Sequence, residues 1–341
     1  MPDALLEVND LEMHFALGRS GGDRLRRADR EVLRAVDGVS LELARGETLG
    51  LVGESGCGKS TLGRCIVGLY TPTGGEVRFE GRALSPKRSR PERRRIQMVF
   101  QDPYSSLNPR MTVRQMLSEL LRAHAIVPKE AVDARCQELV ELVGLPQRSL
   151  DAHPRQFSGG QRQRVGIARA LALEPEVLVA DEPVSALDVS VQATVLNLLA
   201  ELRDRLGLTV LLIAHNMAVV RHVCDRVAVM YLGRVVETAP ANELFADPRH
   251  PYTQGLLQAV PRLVPGRASE APAVVGDPPS PIRIPSGCRF HPRCPIAAEP
   301  LCSDVDPPLE PGPQRAAHAA ACHFAWRAAP PPHTPEILET S

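Results

Sequence analysis

Gly53-Glu54-Ser55-Gly56-Cys57-Gly58-Lys59-Ser60, followed by Thr61, is the stretch that decides the fold. It fits the pattern G-x-x-x-x-G-K-[ST], with a short apolar strand pattern, Glu47–Val52, before it and a helical pattern after it. Glycines let backbone amides turn inward around phosphate oxygens, and the helix N-terminus adds a positive dipole end. The stretch predicts a phosphate-binding loop, in which Lys59 reaches the β- and γ-phosphates and Ser60 ligates Mg²⁺. The alternative, a chance glycine-rich turn, does not explain the flanking strand and helix.

A second motif lies where the apolar run Val177–Ala180 ends in Asp181-Glu182. A short apolar run bounded by polar residues is typical of a parallel strand that is buried on both faces. Asp181 is suited to holding Mg²⁺ directly or through water, because a hard cation prefers oxygen ligands. Glu182 is placed to polarise an attacking water as a general base. The alternative, two solvated loop acids, is disfavoured by the apolar strand before them.

Two further polar residues follow apolar runs. Gln101 comes after Val99-Phe100, and we expect it to touch Mg²⁺ or its water and to sense the γ-phosphate. His215 comes after Val210–Ala214, and we expect it to contact the γ-phosphate and the region of Glu182. A lone histidine at a strand end is more often structural than catalytic. Its assignment therefore depends on the order of the motifs around it.

The most informative feature is Ser158-Gly159-Gly160-Gln161, which opens a helical pattern about twenty residues before Asp181. Many unrelated proteins have a phosphate loop, but far fewer place this sequence between such a loop and an acidic pair. The order of the motifs is similar to that of the ABC transporter ATPase family, across roughly residues 5–240. The residues that carry this order are Lys59, Gln101, Ser158, Asp181, Asp188 and His215.

The resemblance implies an α/β fold, with a P-loop NTPase core, an antiparallel β subdomain and a helical signature subdomain. It implies ATP and Mg²⁺ as ligands, the metal being held through Ser60, Gln101 and Asp181, with Glu182 and His215 as catalytic residues. It also implies a dimer in which residues 158–161 of one subunit cover the ATP of the other and Asp188 lies at the interface. Phe15 would stack on adenine; alternatively it is a core aromatic, and His14 beside it leaves the register open by one residue.

Three segments indicate a subfamily. Residues 101–111 read QDPYSSLNPRM, residues 250–257 read HPYTQGLL and residues 287–295 read GCRFHPRCP. These segments, with the polar insert Gly18–Arg30, resemble the oligopeptide/dipeptide importer ATPases, and most closely the second ATPase of the pair. The resemblance implies a second homologous ATPase as heterodimer partner, two membrane permeases and an extracytoplasmic substrate-binding protein. Nickel importers share the same tail, so nickel or another small solute is the alternative cargo.

Four cysteines lie in the C-terminal part of the chain: Cys288, Cys294, Cys302 and Cys322. Four thiolates can hold a [4Fe–4S] cluster or a zinc ion, but the spacing is that of neither a common zinc ribbon nor a bacterial ferredoxin. Some peptide-importer ATPases carry a cluster in this segment, so the resemblance favours [4Fe–4S]. The alternatives are zinc and reduced thiols in a small proline-rich fold.

Composition sets the domain organisation. Of the 32 prolines, 20 fall in the last 96 of the 341 residues, where Tyr252–Leu263 is the only clear helical pattern. This predicts an ATPase domain over residues 1–246, a C-terminal domain over residues 247–329 and a disordered tail over residues 330–341. The formal charge of zero gives no reason to expect a nucleic-acid partner. No apolar run reaches the roughly 18–20 residues of a membrane span, and no secretory signal is visible. We expect a peripheral protein at the cytoplasmic face of the membrane.

The sequence therefore predicts an ATPase that energises the import of dipeptides or oligopeptides. One alternative is a soluble ABC ATPase that acts in translation or DNA repair. Such proteins usually carry two ATPase cassettes or a long coiled-coil insert, and this chain has neither. A second alternative is a regulatory subunit without hydrolysis, against which Glu182 and His215 argue.

Overall fold

The computed structural model describes residues 4–17, 31–102, 107–258 and 276–326. Several sequence-based predictions lie wholly or partly outside these ranges. They are the insert Gly18–Arg30, residues 103–106 of the motif that begins at Gln101, the second half of the predicted helix Tyr252–Leu263, and the predicted disordered tail at residues 330–341.

The described residues form two sheets and a set of helices. The strands are β1 Ala4–Ala16, β2 Val32–Ala44, β3 Thr48–Val52, β4 Gly74–Phe79, β5 Arg82–Ala83, β6 Ile96–Val99, β7 Val177–Asp181, β8 Thr209–Ala214, β9 Arg226–Tyr231, β10 Arg234–Pro240, β11 Glu310–Gly312 and β12 Arg315–Ala320. The α-helices are α1 Lys59–Ile66, α2 Arg90–Arg95, α3 Val113–Ala123, α4 Val132–Leu142, α5 Gly159–Leu171, α6 Val189–Leu206, α7 Met217–Val223, α8 Ala241–Ala246, α9 Pro251–Gln258 and α10 Leu301–Asp304. Short 3-10 helices cover Lys129–Ala131, Gln147–Asp151, Pro154–Gln156 and His291–Arg293.

The larger sheet brings the sequence motifs together. Its strand order is β11-β12-β10-β9-β3-β8-β7-β6, and the five strands from β9 to β6 are parallel. Because the carboxyl ends of parallel strands meet at one edge, the residues that follow them lie near one another. The phosphate loop follows β3, Gln101 lies just after β6, the acidic pair ends β7, and His215 follows β8.

The central strands of this sheet are buried on both faces, as their continuous apolar sequences predict. Alternate residues of β7 enter two different cores. Val177 and Val179 pack with α1 and the smaller sheet, whereas Leu178 and Ala180 pack with the helices on the opposite face. The pleat of a strand, which points successive side chains to opposite faces, explains the division.

The smaller sheet is antiparallel, with the order β2-β1-β4-β5. The alternating apolar residues of Val39–Leu43 predict only a short strand, but β2 is longer, because its pairing with β1 extends to Val32, which lies opposite Ala16. Helices α3, α4 and α5 form a second subdomain, whose apolar residues join the core beneath β7 and β8. In the described ranges, no helix combines the length and apolarity that a membrane span requires.

The C-terminal extension, here defined as residues 276–326, continues the larger sheet. Strand β12 pairs antiparallel with β10, where Glu237 lies opposite Ala320, and β11 pairs with β12. Phe290 packs into the core that lies under the parallel strands. The domain division at residues 246/247 stays a prediction, and this sheet extends across it.

Candidate nucleotide-binding site

The phosphate loop joins the end of β3 to the start of α1. Gly53 and Gly58 have φ angles of 152° and 108°. A Cβ atom on Gly58 would overlap the carbonyl oxygen of Ala35, and one on Gly53 would overlap that of Met230. The backbone therefore requires glycine at both positions, because neither the conformation nor the space admits a side chain.

Lys59 points back into this loop and is only 4% exposed. Its Nζ atom donates to the carbonyl oxygens of Gly53 and Glu54, both at 2.8 Å. Because both partners are neutral carbonyl groups, these contacts do not balance the positive charge of Lys59. An anionic phosphate ligand would balance it. Burial raises the pKa of the Cys57 thiol beside it, so this cysteine is a small protonated side chain here.

Ser60 and Asp181 meet where α1 begins and β7 ends. The Ser60 hydroxyl donates to Asp181 Oδ1 at 2.7 Å. Burial raises the pKa of Asp181, while the hydrogen bond from Ser60 lowers it. A hydroxyl and a carboxylate in contact supply the oxygen ligands that Mg²⁺ prefers, so this pair fits the predicted metal.

Glu182 lies between Gln101 and His215, which are also predicted site residues. Its Oε2 atom accepts from Gln101 Nε2 at 3.0 Å and lies 3.1 Å from His215 Nδ1. Glu182 has a φ of 43°, and its N–H donates to the carbonyl oxygen of Ile213 at 2.9 Å. Left-handed backbone at a residue other than glycine costs free energy and is often found at functional sites. The three side chains form a polar group that can orient a water.

Ser158 caps the N-terminus of α5. Its hydroxyl accepts from the N–H of Gln161 at 3.4 Å, and Gln161 Oε1 accepts from the N–H of Ser158 at 3.0 Å. Gly160 packs against α6 so closely that a Cβ atom would meet Val191 Cγ1. Ser158 and Gln161 are exposed, as is Asp188 at the N-terminus of α6. The predicted signature therefore presents a helix N-terminus at the surface of the chain.

Phe15 is half-buried near the end of β1. Its ring contacts Tyr70 edge to face, with 5.8 Å between the ring centroids. The neighbouring His14 is engaged elsewhere, because its Nε2 atom lies 2.7 Å from Asp37 Oδ1. The role of Phe15 in adenine stacking stays a prediction.

Comparisons with known proteins agree with this geometry. Residues 36–185 match the ABC transporter family, and residues 236–302 match the family described as oligopeptide/dipeptide transporter, C-terminal region. The oligopeptide transport ATP-binding protein AppF of Bacillus subtilis (strain 168) is 47% identical over 329 residues, which are 94% of this chain and 98% of AppF. The chain belongs to the ABC transporter ATP-binding subunits of the oligopeptide/dipeptide branch.

Further relatives support the assignment of this ABC ATPase. The probable peptide ABC transporter ATP-binding protein y4tS of Sinorhizobium fredii (strain NBRC 101917 / NGR234) is 47% identical over 341 residues, 99% of this chain and 95% of that protein. The ATP-binding cassette MJ0796, solved as a dimer bound to ADP and Pi, superposes with a TM-score of 0.60 at 29% identity. That alignment covers 69% of this chain and 98% of the cassette. The predicted fold class and ATPase activity are confirmed, and the family implies ATP and Mg²⁺ as ligands.

Two residues that follow strand β10 in the sequence of this ABC ATPase reach the phosphate loop, and sequence reasoning missed both roles. The N–H of Glu54 donates to the Tyr252 hydroxyl at 2.7 Å. Arg293 forms an ion pair with the Glu54 carboxylate at 2.8 Å. Tyr252 and Arg293 lie within the two segments that indicated the subfamily, HPYTQGLL and GCRFHPRCP, and this was the only signal available.

The tail cysteines do not form a metal site as placed. In the residues described here, no group of three or more His, Cys, Asp and Glu side chains is arranged to hold a metal ion. Burial raises the pKa of Cys288 to about 11 and that of Cys294 to about 12. Cys302 and Cys322 accept hydrogen bonds from nearby backbone N–H groups. The predicted iron–sulfur cluster is therefore not supported by this structure.

Proposed function

We propose that this ABC ATPase hydrolyses ATP at the edge of its parallel sheet to energise the import of dipeptides or oligopeptides. The observation that carries the hydrolytic part is the contact of Glu182 with both Gln101 and His215, beside the pair of Ser60 and Asp181. The matched C-terminal region and the names of the relatives support the peptide cargo.

Each group has a separate role in the proposed reaction. Lys59 and the amides of the phosphate loop bind the β- and γ-phosphates, where the N-terminus of α1 adds its dipole. Ser60, Gln101 and Asp181 would hold Mg²⁺, which would neutralise negative charge on the phosphate oxygens. Glu182 accepts a hydrogen bond from the attacking water and orients it, and His215 fixes the Glu182 carboxylate and contacts the γ-phosphate.

The signature of a partner subunit completes the site in this proposal. Ser158 and the N-terminus of α5 would close over the nucleotide of a second, homologous ATPase, with Asp188 at the interface. The exposure of Ser158, Gln161 and Asp188 supports this arrangement, because a chain that used them for its own core would bury them. The dimer of the cassette MJ0796 supports pairing within the family.

The proposed partners are two permeases, a second ATPase and an extracytoplasmic binding protein, with this chain bound at the cytoplasmic face of the membrane. The tail cysteines match a four-thiolate cluster in number and type of ligand, but not in their placement. Two of them nevertheless lie close together, since the N–H of Cys288 donates to the carbonyl oxygen of Cys302 at 2.9 Å. The cluster stays a prediction that iron and sulfide analysis of anaerobically purified protein tests.

Reconstitution tests the function as a whole. The full-length chain is co-purified with its permeases and second ATPase, placed in liposomes and supplied with the binding protein. We expect ATP hydrolysis that a dipeptide or oligopeptide stimulates, with accumulation of that peptide. Stimulation by nickel alone would establish the alternative cargo. Release from membranes by salt, without co-purifying permeases, would favour a soluble ABC ATPase.

A further inference from the structure

An arginine of the C-terminal extension, Arg293, forms an ion pair with Glu54, the first residue of the phosphate loop that has a side chain. Arg293 Nη1 and Nη2 lie 2.8 and 2.9 Å from the two carboxylate oxygens of Glu54, respectively. The Arg293 side chain is 6% exposed, so water screens this two-pronged contact poorly. The hydrogen bond to Glu54 raises the pKa of Arg293 above its usual range. The contact joins residues 239 positions apart in the sequence.

The environment of Arg293 holds its guanidinium in one place. Its Cζ atom lies 5.8 Å from the centroid of the Tyr231 ring and 5.9 Å from that of Phe290. The three rings of Tyr231, Tyr252 and Phe290 pack against one another, with centroid separations of 4.7 to 5.5 Å. All three are almost fully buried. This aromatic cluster, unlike a surface ion pair, gives the guanidinium a rigid support.

Glu54 is consequently fixed at three points. Its carboxylate pairs with Arg293, its N–H donates to the hydroxyl of Tyr252, and its carbonyl oxygen accepts from Lys59 Nζ. Because the carboxylate and the carbonyl oxygen belong to the same residue, a displacement of the Glu54 carboxylate would also displace the oxygen that holds Lys59. Without the guanidinium, the carboxylate would also leave an unpaired negative charge at the mouth of a loop that binds a polyanion.

We propose that Arg293 is a positioning residue for ATP, acting through Glu54 on the phosphate loop and Lys59. It holds the loop in the shape that binds phosphates and neutralises the one carboxylate that the motif carries. The C-terminal extension is thereby part of the nucleotide site of its own chain. This inference rests on the proposed role of the loop and of Lys59 in binding ATP.

The test measures ATP affinity and turnover separately. A fluorescent ATP analogue is titrated into the full-length chain, and KM and kcat are measured in the assembled complex. For Arg293→Met we expect Kd and KM to rise about tenfold, with kcat within about twofold of the wild type. Arg293→Lys, which keeps the charge but loses the two-pronged geometry, should give an intermediate rise. Arg315→Met is the matched control, because Arg315 is an exposed arginine of the same extension whose partner is Asp247, outside the phosphate loop.

A double variant separates positioning from general damage. In Glu54→Gln/Arg293→Met the stranded carboxylate is absent, and we expect ATP affinity to return to within about threefold of Glu54→Gln alone. A lower melting temperature for Arg293→Met with unchanged Kd and KM would overturn the inference and leave Arg293 a structural residue. The proposed function fails separately, if the wild type does not bind the analogue or if Lys59→Ala binds it equally well.

Discussion

His250 provides a pH-dependent test of how α9 is anchored beside the phosphate loop. The imidazole is 1% exposed, and its Nδ1 atom accepts from the N–H of Tyr252 at 3.1 Å. Glu237 lies nearby and accepts from the N–H of His250 at 3.0 Å. Acidification is the perturbation, because a protonated ring could no longer accept the hydrogen bond from Tyr252.

The magnitude follows from the two protonation equilibria. Burial lowers the pKa of His250 to about 4, although the charge of Glu237 opposes the shift. In the unfolded chain the pKa is about 6.5. Between these values the unfolded state binds the additional proton, so the free energy of unfolding falls as pH decreases from about 6.5 to about 4. The gap of about 2.5 pH units corresponds to about 3 kcal/mol from this one group.

The assay is urea unfolding of the full-length chain at several pH values, for wild type and His250→Asn. Asparagine retains an acceptor for the Tyr252 amide and does not titrate. On acidification, the free energy of unfolding of this variant should therefore fall less than that of the wild type, by up to about 3 kcal/mol. Phe290→Leu is the control, because it loosens the same cluster at every pH without removing a titrating group. Parallel curves for wild type and His250→Asn from pH 6.5 to pH 4 would refute the reasoning.

Two further predictions concern the site itself. Glu182→Gln should reduce ATP turnover in the assembled complex about 10²- to 10⁴-fold, the range for a general base, while ATP stays bound; unchanged hydrolysis would remove Glu182 from that role. Gly58→Ala should lower the free energy of unfolding by about 3 kcal/mol, because φ is 108° and a Cβ atom would overlap Ala35. In contrast, Gly166→Ala, within α5 and with open space around it, should have no destabilising effect in the same unfolding measurement.

The parallel core could be predicted because its signals are local. The strand before Gly53 and the apolar run before Asp181 each specify a buried strand, and the motif order places their ends at one edge. The periodicity of residues 129–143 also predicts a helix, and the structure forms it as α4 after a 3-10 turn at Lys129–Ala131. The contact of Glu182 with Gln101 and His215 is a long-range consequence of the same strand order.

The extension was harder to predict, because its contacts depend on residues far apart in the chain. Strand β12 reads RAAHAA, which has little strand propensity, and it forms because β10 offers an edge to pair with. The side chain of Arg293 looks like any charged group in a proline-rich segment. Nothing near it in the sequence indicates that Glu54, with which it pairs, lies beside it.

The short strand β11 has a consequence for any attempt to shorten the protein. It is the outermost strand of the larger sheet, spans only Glu310–Gly312 and carries Pro311, which has no N–H to donate. Short edge strands that contain proline hinder the pairing of a second chain with the edge of a sheet. Truncation before residue 310 would remove both β11 and β12 and expose the backbone N–H and C=O groups along the edge of β10. Such a fragment would be prone to self-association, so aggregation during expression would be the first sign of the loss of these strands.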